Sequence, residues 1–373
     1  MIKMRGNVDK FRDEGGYASG RMNSEPVSHV PLHQHQDTRR YDTTRGSATD
    51  SSSISPEDVR DIARFYNLIQ EALGRLIVGN EQLIEHILTA LLSEGHILIE
   101  GPPGTAKTTI AKAMAIMTSC EFSRLQSAID IQPSDIIGVR IFNLESKVFE
   151  FKKGPIFTNI LMIDEINRLS PKAQSAFIEA MGEQQVTVDG ITMELPPFFF
   201  VVATQNPHEF EGTFPLLEVQ RDRFMFCHKS EYMDAENELK IINRADSGSL
   251  EWRHFVEVQA PVLTINDIFR YRAVIDRVFV CDQVKTYIRD IVLATRKHGD
   301  VQLGSSSRAS LALVKGGKAV AALQGRTYVI PDDIKQLATV TLGHRIILTR
   351  EAIIGNVTTS QVIKEILENI EVP

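Results

Sequence analysis

The sequence predicts an α/β protein: a parallel sheet covered by helices on both faces, followed by a small all-helical domain. Three observations predict it. Short apolar runs of strand length, at 96–100, 160–163 and 198–202, are separated by helical patterns, and strands that alternate with helices bury both faces of a parallel sheet. After about residue 230 only helical patterns follow. Before residue 55 the chain is rich in Ser, Thr, Arg, Asp, His and Gly and its apolar residues keep no period of 2 or 3.6. Such a stretch cannot bury enough surface to offset the entropy of ordering, which predicts a disordered arm. The expected division is an arm over 1–54, an α/β core over 55–229 and a helical domain over 230–373.

In chain order, His33 and His35 in the arm lack a third and fourth ligand and read as solvated side chains, not a metal site. Ser55-Pro56-Glu57-Asp58 is a helix start: a hydroxyl cap, proline at the first helical position, acids in the first turn. Val59, Ile62, Ala63, Tyr66 and Ile69 then recur at helical spacing. A second amphipathic helix begins near Glu81, with Leu83, Ile84, Ile87, Leu88 and Leu91 on one face and Gly95 to stop it. His96–Glu100 between glycines is a buried strand, as are Ile160–Ile163 and Phe198–Val202. A helix runs from Ser170-Pro171 to Met181-Gly182, and 186–195 alternates around Asp189-Gly190 as a hairpin. Later helices are expected at 265–275, 284–294, 308–323 and 331–337.

Composition narrows the possibilities. At roughly 150 residues per domain, 373 residues make about two domains, and 43% apolar with 24% charged residues excludes a wholly disordered or collagen-like chain. The net charge of −7 argues against a protein whose main task is to grip nucleic acid nonspecifically. No apolar run approaches the roughly 18–20 residues of a membrane span, and the basic start Met1–Arg5 has no apolar stretch behind it, so no signal peptide is expected. Cys120, Cys227 and Cys281 are odd in number and far apart, which reads as free thiols in a reducing cytoplasm.

Gly101-Pro102-Pro103-Gly104-Thr105-Ala106-Lys107-Thr108 stands right after a strand and before a helical run. Glycines let backbone N–H groups curl around a phosphate chain, and the helix N-terminus adds partial positive charge. Lys107 would reach the β- and γ-phosphates and Thr108 would hold magnesium, with Thr109 next along. A generic loop of this kind has glycine where Ala106 stands; the competing reading is a Gly/Pro turn that binds nothing. Asp164-Glu165 ends the second strand at the sheet edge where ligands of such folds collect: Asp164 can join the magnesium shell and Glu165 can polarise an attacking water. Asn206, at the end of the third strand, can hold that water or a γ-phosphate oxygen; otherwise it is a turn residue before Pro207.

These residues resemble an AAA+ ATPase, and the segments between them resemble the MoxR family. The stretches are Pro133–Gly138, Lys153–Phe157, Asp164–Arg168, Pro171–Ala176, Glu179–Met181, Ala203–Pro207 and Glu211–Pro215, within a likeness covering roughly 60–370. Family members often carry alanine where Ala106 sits. Departures are Leu217, Val219, Arg221 and Ser307, none at a phosphate-binding position. The resemblance implies ATP and Mg²⁺ as ligands and a homo-oligomeric ring, expected to be a hexamer. It implies Arg223 as the arginine entering the neighbouring subunit's site, with Arg221 a second candidate, and Arg308 as a sensor arginine on the helical domain. Val78-Gly79 would pack near the adenine. The hairpin at Asp189-Gly190 and the insert between Ile137 and Phe151 resemble pore-facing elements. It further implies chaperone-like assembly, maturation or metal insertion with a client such as a von Willebrand factor A-domain protein. A nucleic-acid motor, a magnesium-chelatase-like subunit and a weakly hydrolysing switch remain alternatives; the acidic hairpin speaks against the first and Glu165 against the last.

Overall fold

The computed structural model describes residues 54–207, 212–247, 252, 255–256 and 259–373. The arm, with His33 and His35, and Glu211 of the quoted motif lie outside the described residues, Ile54 excepted. Helix α1 (Pro56–Leu76) starts as the residues dictate: Ser55 Oγ accepts the Glu57 N–H at 3.2 Å and Pro56 occupies the first turn. Its face of Val59, Ile62, Phe65, Ile69 and Leu73 is buried. Helix α2 (Glu81–Leu92) is buried nearly all round from Leu83 onward, so it lies inside the protein and not on its surface.

The sheet has five parallel strands: β1 (Ile97–Glu100), β2 (Phe122–Gln126), β5 (Ile160–Asp164), β8 (Phe200–Gln205) and β9 (Phe226–Lys229), in the order β2-β5-β8-β1-β9. Helices α3 (Lys107–Met117), α4 (Pro133–Ile137) and α5 (Pro171–Glu183) connect them. Ile97 and Ile99 enter one apolar cluster and Leu98 the other, the period-2 signature of a strand covered on both faces. Two hairpins stand off the sheet, β3–β4 (Gly138–Asn143, Val148–Lys153) and β6–β7 (Gln185–Val188, Ile191–Glu194). In the latter Asp189 and Gly190 both take positive φ, as an Asp-Gly hairpin turn requires.

Beyond the sheet come α6 (Glu218–Arg221), which precedes β9, and then α7 (Ala235–Asp246), α8 (Ile265–Ile275), α9 (Asp282–Thr295), α10 (Ser307–Leu323), α11 (Pro331–Leu342), α12 (Arg350–Ile354) and α13 (Thr359–Asn369). Ile268, Ile291, Leu313 and Leu337 of these helices join the same cluster as α1, α2 and Ile97, so the helical part caps one face of the sheet through shared apolar contact. The pattern after residue 230 is not helical throughout. Val301–Leu303 and Ile347–Leu348 form a short antiparallel pair, β10–β11, too brief to leave a periodic signal.

Two further differences have physical causes. The third apolar strand begins at Phe200 and not at Phe198: the Phe198 carbonyl accepts from the Asn159 side chain at 3.1 Å, and ladder pairing starts where the Phe200 N–H bonds Asn159 O and continues until Gln205 lies beside Glu100. Strands β2 and β9 had no apolar-run signal: β2 is a half-exposed edge, and β9 carries His228 and Lys229 in four residues. Among the described residues no helix is long and apolar enough to cross a membrane.

Four histidines are buried among the described residues, His86, His96, His228 and His344, and burial holds His344 well below the usual imidazole value. His86 on α2 and His228 on β9 share a hydrogen bond, Nδ1 to Nδ1 at 2.9 Å, and His96 Nδ1 accepts the Val201 N–H at 3.1 Å. Burial lowers His86 to about 3, with His228 adding to it, and lowers His228 and His96 to about 4 each. The folded state therefore refuses protons that the unfolded chain takes up below pH 6.5. Stability is full above that value and falls as the pH drops from about 6.5 towards 4, by up to about 1.4 kcal/mol per pH unit for each histidine. Urea midpoints measured from pH 7.5 to 4.5 should decline steeply below pH 6; a flat profile would show that these rings are not held neutral.

Candidate active site

Strand β1 ends at Glu100 and the chain turns through Gly101–Ala106 into α3. Gly101 lies against the next strand's exit: a Cβ there would meet Ser230 O at 2.2 Å, and its φ is +152°. At Gly104 φ is +85° and a Cβ would meet nothing within 4 Å, so it is the backbone conformation that needs glycine. Ala106 adopts the left-handed conformation too, φ +57° and ψ +14°. The curl that a glycine would supply is thus kept with alanine, at a cost of about 1–2 kcal/mol.

The carboxyl ends of the strands meet this turn. Asp164 pairs in the ladder with Gln126, Ile163 with Ala203, and Glu100 with Gln205. One cavity of about 500 Å³ is lined by Gly101, Pro103 and Gly104, by Thr105 to Thr109, and by Asp164, Glu165 and Asn206. Pro102 contributes its carbonyl. Lys107 Nζ donates to Gly101 O at 3.0 Å and to Pro102 O at 2.6 Å, which folds the ammonium over the loop. Burial lowers the Lys107 amine below the usual lysine value, and the nearby carboxylates of Asp164 and Glu165 oppose that shift.

Asp164 Oδ2 accepts from Arg124 Nε at 2.5 Å and Oδ1 from Thr204 Oγ1 at 3.4 Å; its side chain is 10% exposed. The Glu165 N–H donates to Thr204 Oγ1 at 3.0 Å, and its Oε2 pairs with Arg168 Nε at 2.8 Å. Glu165 itself is left-handed, φ +57° and ψ +53°. For a residue that carries a Cβ that is a strained conformation, of the kind stored where side-chain direction matters. Arg124, Gln126, Thr204 and Gln205 also line the cavity. Sequence reasoning missed them. Arg124 and Gln126 sit on the unforeseen strand β2, whereas Thr204 and Gln205 were within reach, being adjacent to Asn206.

Other expected residues stand apart from this cavity's lining. Val78 and Gly79 form the turn between α1 and α2, where a Cβ on Gly79 would meet Met233 Sδ at 3.1 Å. Arg223 Nη1 donates to Ile178 O at 2.8 Å and lies against Gly182, whose missing side chain makes the room. Arg221 Nη2 pairs with Glu100 Oε1 at 3.1 Å within the same chain. Arg308, in the first turn of α10, is half-exposed with Nη1 4.0 Å from Asp222 Oδ2. Asp222 also accepts from Ser306 Oγ at 3.0 Å and from the buried Arg345 at 2.8 Å, which pins the Arg221–Arg223 segment to the helical cap.

Residues 96–226 match the family described as "ATPase family associated with various cellular activities (AAA)", and residues 293–366 match the "AAA lid domain". The "Chaperone MoxR1" of Mycobacterium tuberculosis is 36% identical over 346 residues, covering 89% of this chain and 90% of the relative. The chain belongs to the MoxR family of AAA+ ATPases. A second relative, the "Uncharacterized protein YeaC" of Bacillus subtilis, is 43% identical over 303 residues, 81% of this chain and 93% of its own. A crystal structure of a candidate ATPase from Cytophaga hutchinsonii superposes with a TM-score of 0.78 at 36% identity, covering 85% of this chain and 97% of that one. Nucleotide binding and ATPase activity come with the MoxR family, and the cavity at the strand ends lies within the matched AAA segment.

Proposed function

We propose that this MoxR-family protein hydrolyses Mg-ATP at the carboxyl edge of its sheet, in a ring of identical subunits, and uses the energy to remodel or help assemble a client protein. The observation that carries the reading is the convergence of Lys107, Asp164, Glu165 and Asn206 around one cavity of about 500 Å³. The donor set suits magnesium. It offers a hydroxyl, Thr108, and a carboxylate, Asp164, both hard oxygens, and among the described residues no cluster of His, Cys, Asp or Glu competes as an all-protein metal cage. Magnesium favours such a sparse set and keeps phosphate oxygens and waters for its remaining positions. Bound there, the ion would neutralise charge on the β- and γ-phosphates.

The chain's own groups would act as follows. The loop N–H groups and the start of α3 bind phosphate oxygens, and Lys107 exchanges its two carbonyl partners for the phosphate chain. Glu165 accepts the proton of the attacking water and Asn206 orients that water. Arg223 of the adjacent protomer, released from Ile178 O, spreads positive charge over the γ-phosphate, and Arg308 senses the same group from the helical cap. The relative named as a chaperone supports a protein client. A nucleic-acid track is disfavoured by a hairpin whose tip is Asp189-Gly190 between Glu183 and Glu194. A von Willebrand factor A-domain partner and a hexameric, cytoplasmic ring rest on the resemblance.

The test is specific ATPase activity against protein concentration, read alongside sedimentation. Activity per subunit should rise with the oligomer fraction, at least about tenfold from monomer to ring. A constant value across that transition would exclude an arginine supplied by the neighbour.

A further inference from the structure

Two consecutive residues at the end of β8 hold both halves of the site. Gln205 O accepts the Gly101 N–H at 3.1 Å, where the phosphate loop begins. Thr204 Oγ1 accepts the Glu165 N–H at 3.0 Å and donates to Asp164 Oδ1 at 3.4 Å. Thr204 is buried in the middle strand of the five and also lines the 500 Å³ cavity. A hydroxyl has one hydrogen and two lone pairs, so both bonds can be made at once. A carboxylate only accepts, which sends the hydrogen towards Asp164 and leaves a lone pair for the Glu165 N–H. The branch at the threonine Cβ restricts χ1, so the residue's own stiffness keeps the hydroxyl in that direction.

We infer that Thr204 is a positioning residue for hydrolysis: its hydroxyl holds the Glu165 backbone in the left-handed conformation that aims the carboxylate at the attacking water. The inference rests on the ATPase reading above and adds a residue to it. Left-handed backbone is unfavourable for a residue with a Cβ and persists only where the surroundings enforce it. At Glu165 the hold on the N–H side is Thr204, and on the carbonyl side the Arg168 N–H donates to Glu165 O at 2.8 Å. Without the hydroxyl the part-buried Glu165 N–H would lose this acceptor, and the Asp164–Glu165 peptide would turn to find another. The glutamate would then lose its aim. The phosphate contacts lie on the loop and α3 and would stay, and Asp164 would keep its bond from Arg124.

Valine has the shape of threonine without the hydroxyl, so Thr204→Val is the direct test, read by single-turnover hydrolysis and by calorimetric binding of Mg-ATP. It should lower the hydrolysis rate at least about tenfold, part of the roughly 10²–10⁴ that a positioned base contributes, and leave Mg-ATP affinity within about twofold. Thr204→Ser, which restores the hydroxyl, should return to within about threefold of the parent. Thr204→Ala is read in the same way should the valine variant not fold. Residues that act as a unit are non-additive, so Thr204→Val combined with Glu165→Gln should be no more than about threefold slower than Glu165→Gln alone. A Thr204→Val rate within twofold of the parent would overturn the assignment, as would a serine variant as slow as valine. A double variant that loses the full further factor would show that Thr204 does not act through Glu165. Each of these leaves the ATPase reading standing, whereas no turnover by the assembled parent would remove that reading and this inference with it.

Discussion

Glu165→Gln should leave Mg-ATP affinity within about twofold and cut turnover by at least about a hundredfold, the low end of what a positioned general base contributes. The amide has the size of the carboxylate, and the backbone that aims it is fixed independently: the Glu165 N–H is held by Thr204 Oγ1 and the residue is locked in the left-handed region. What changes is the capacity to accept a proton, with the Arg168 pairing weakened from charge–charge to charge–dipole. Binding by calorimetry and single-turnover hydrolysis separate the two effects. Turnover near the parent rate would move the general base elsewhere in the cavity.

Arg223→Ala should reduce kcat by about 10³–10⁵-fold, the range measured for arginine fingers, with KM little altered. Its present partner is one carbonyl, Ile178 O, so release costs one hydrogen bond. Arg221 is differently placed. Its pairing with Glu100, whose side chain is only 10% exposed, ties α6 to the end of β1. Removing it leaves a nearly buried carboxylate without that partner, and the main result should be lower stability. Mixing decides whether the arginine acts across an interface. Arg223→Ala subunits combined with Glu165→Gln subunits should regain part of the activity that both lack alone, since a mixed interface in one of its two orders joins an intact Glu165 to an intact Arg223. No regain in a verified mixed ring would mean that Arg223 acts within its own chain, or not at all.

Much of the fold was legible because its central elements are strongly patterned. Ile97–Ile99 and Ile160–Ile163 are unbroken apolar runs since both faces of those strands are buried, and α1 announces itself through Ser55, Pro56 and its acidic first turn. The edge strand β2 escaped notice for the converse reason: with one face half-exposed, Phe122-Ser123-Arg124 is neither apolar nor long. With it went Arg124, whose guanidinium holds Asp164 from a position 40 residues away in sequence. Helix α13 was legible and overlooked, since Thr358 and Gln361 form a reciprocal cap in plain sequence view.

By itself the sequence determined the chemistry on offer: a glycine-rich turn between strand and helix, a lysine and hydroxyl after it, two acids at a strand end. These are local features, set by neighbours within a few residues, where backbone conformation and hydrogen-bonding capacity are decided. Only the tertiary structure decided that Asn206 reaches the same cavity and that Arg221 and Arg223 are engaged within their own chain. Strand order and helix packing bring together residues 100 or more positions apart, and that pairing comes from burying apolar faces, which leaves no mark at the polar positions it aligns.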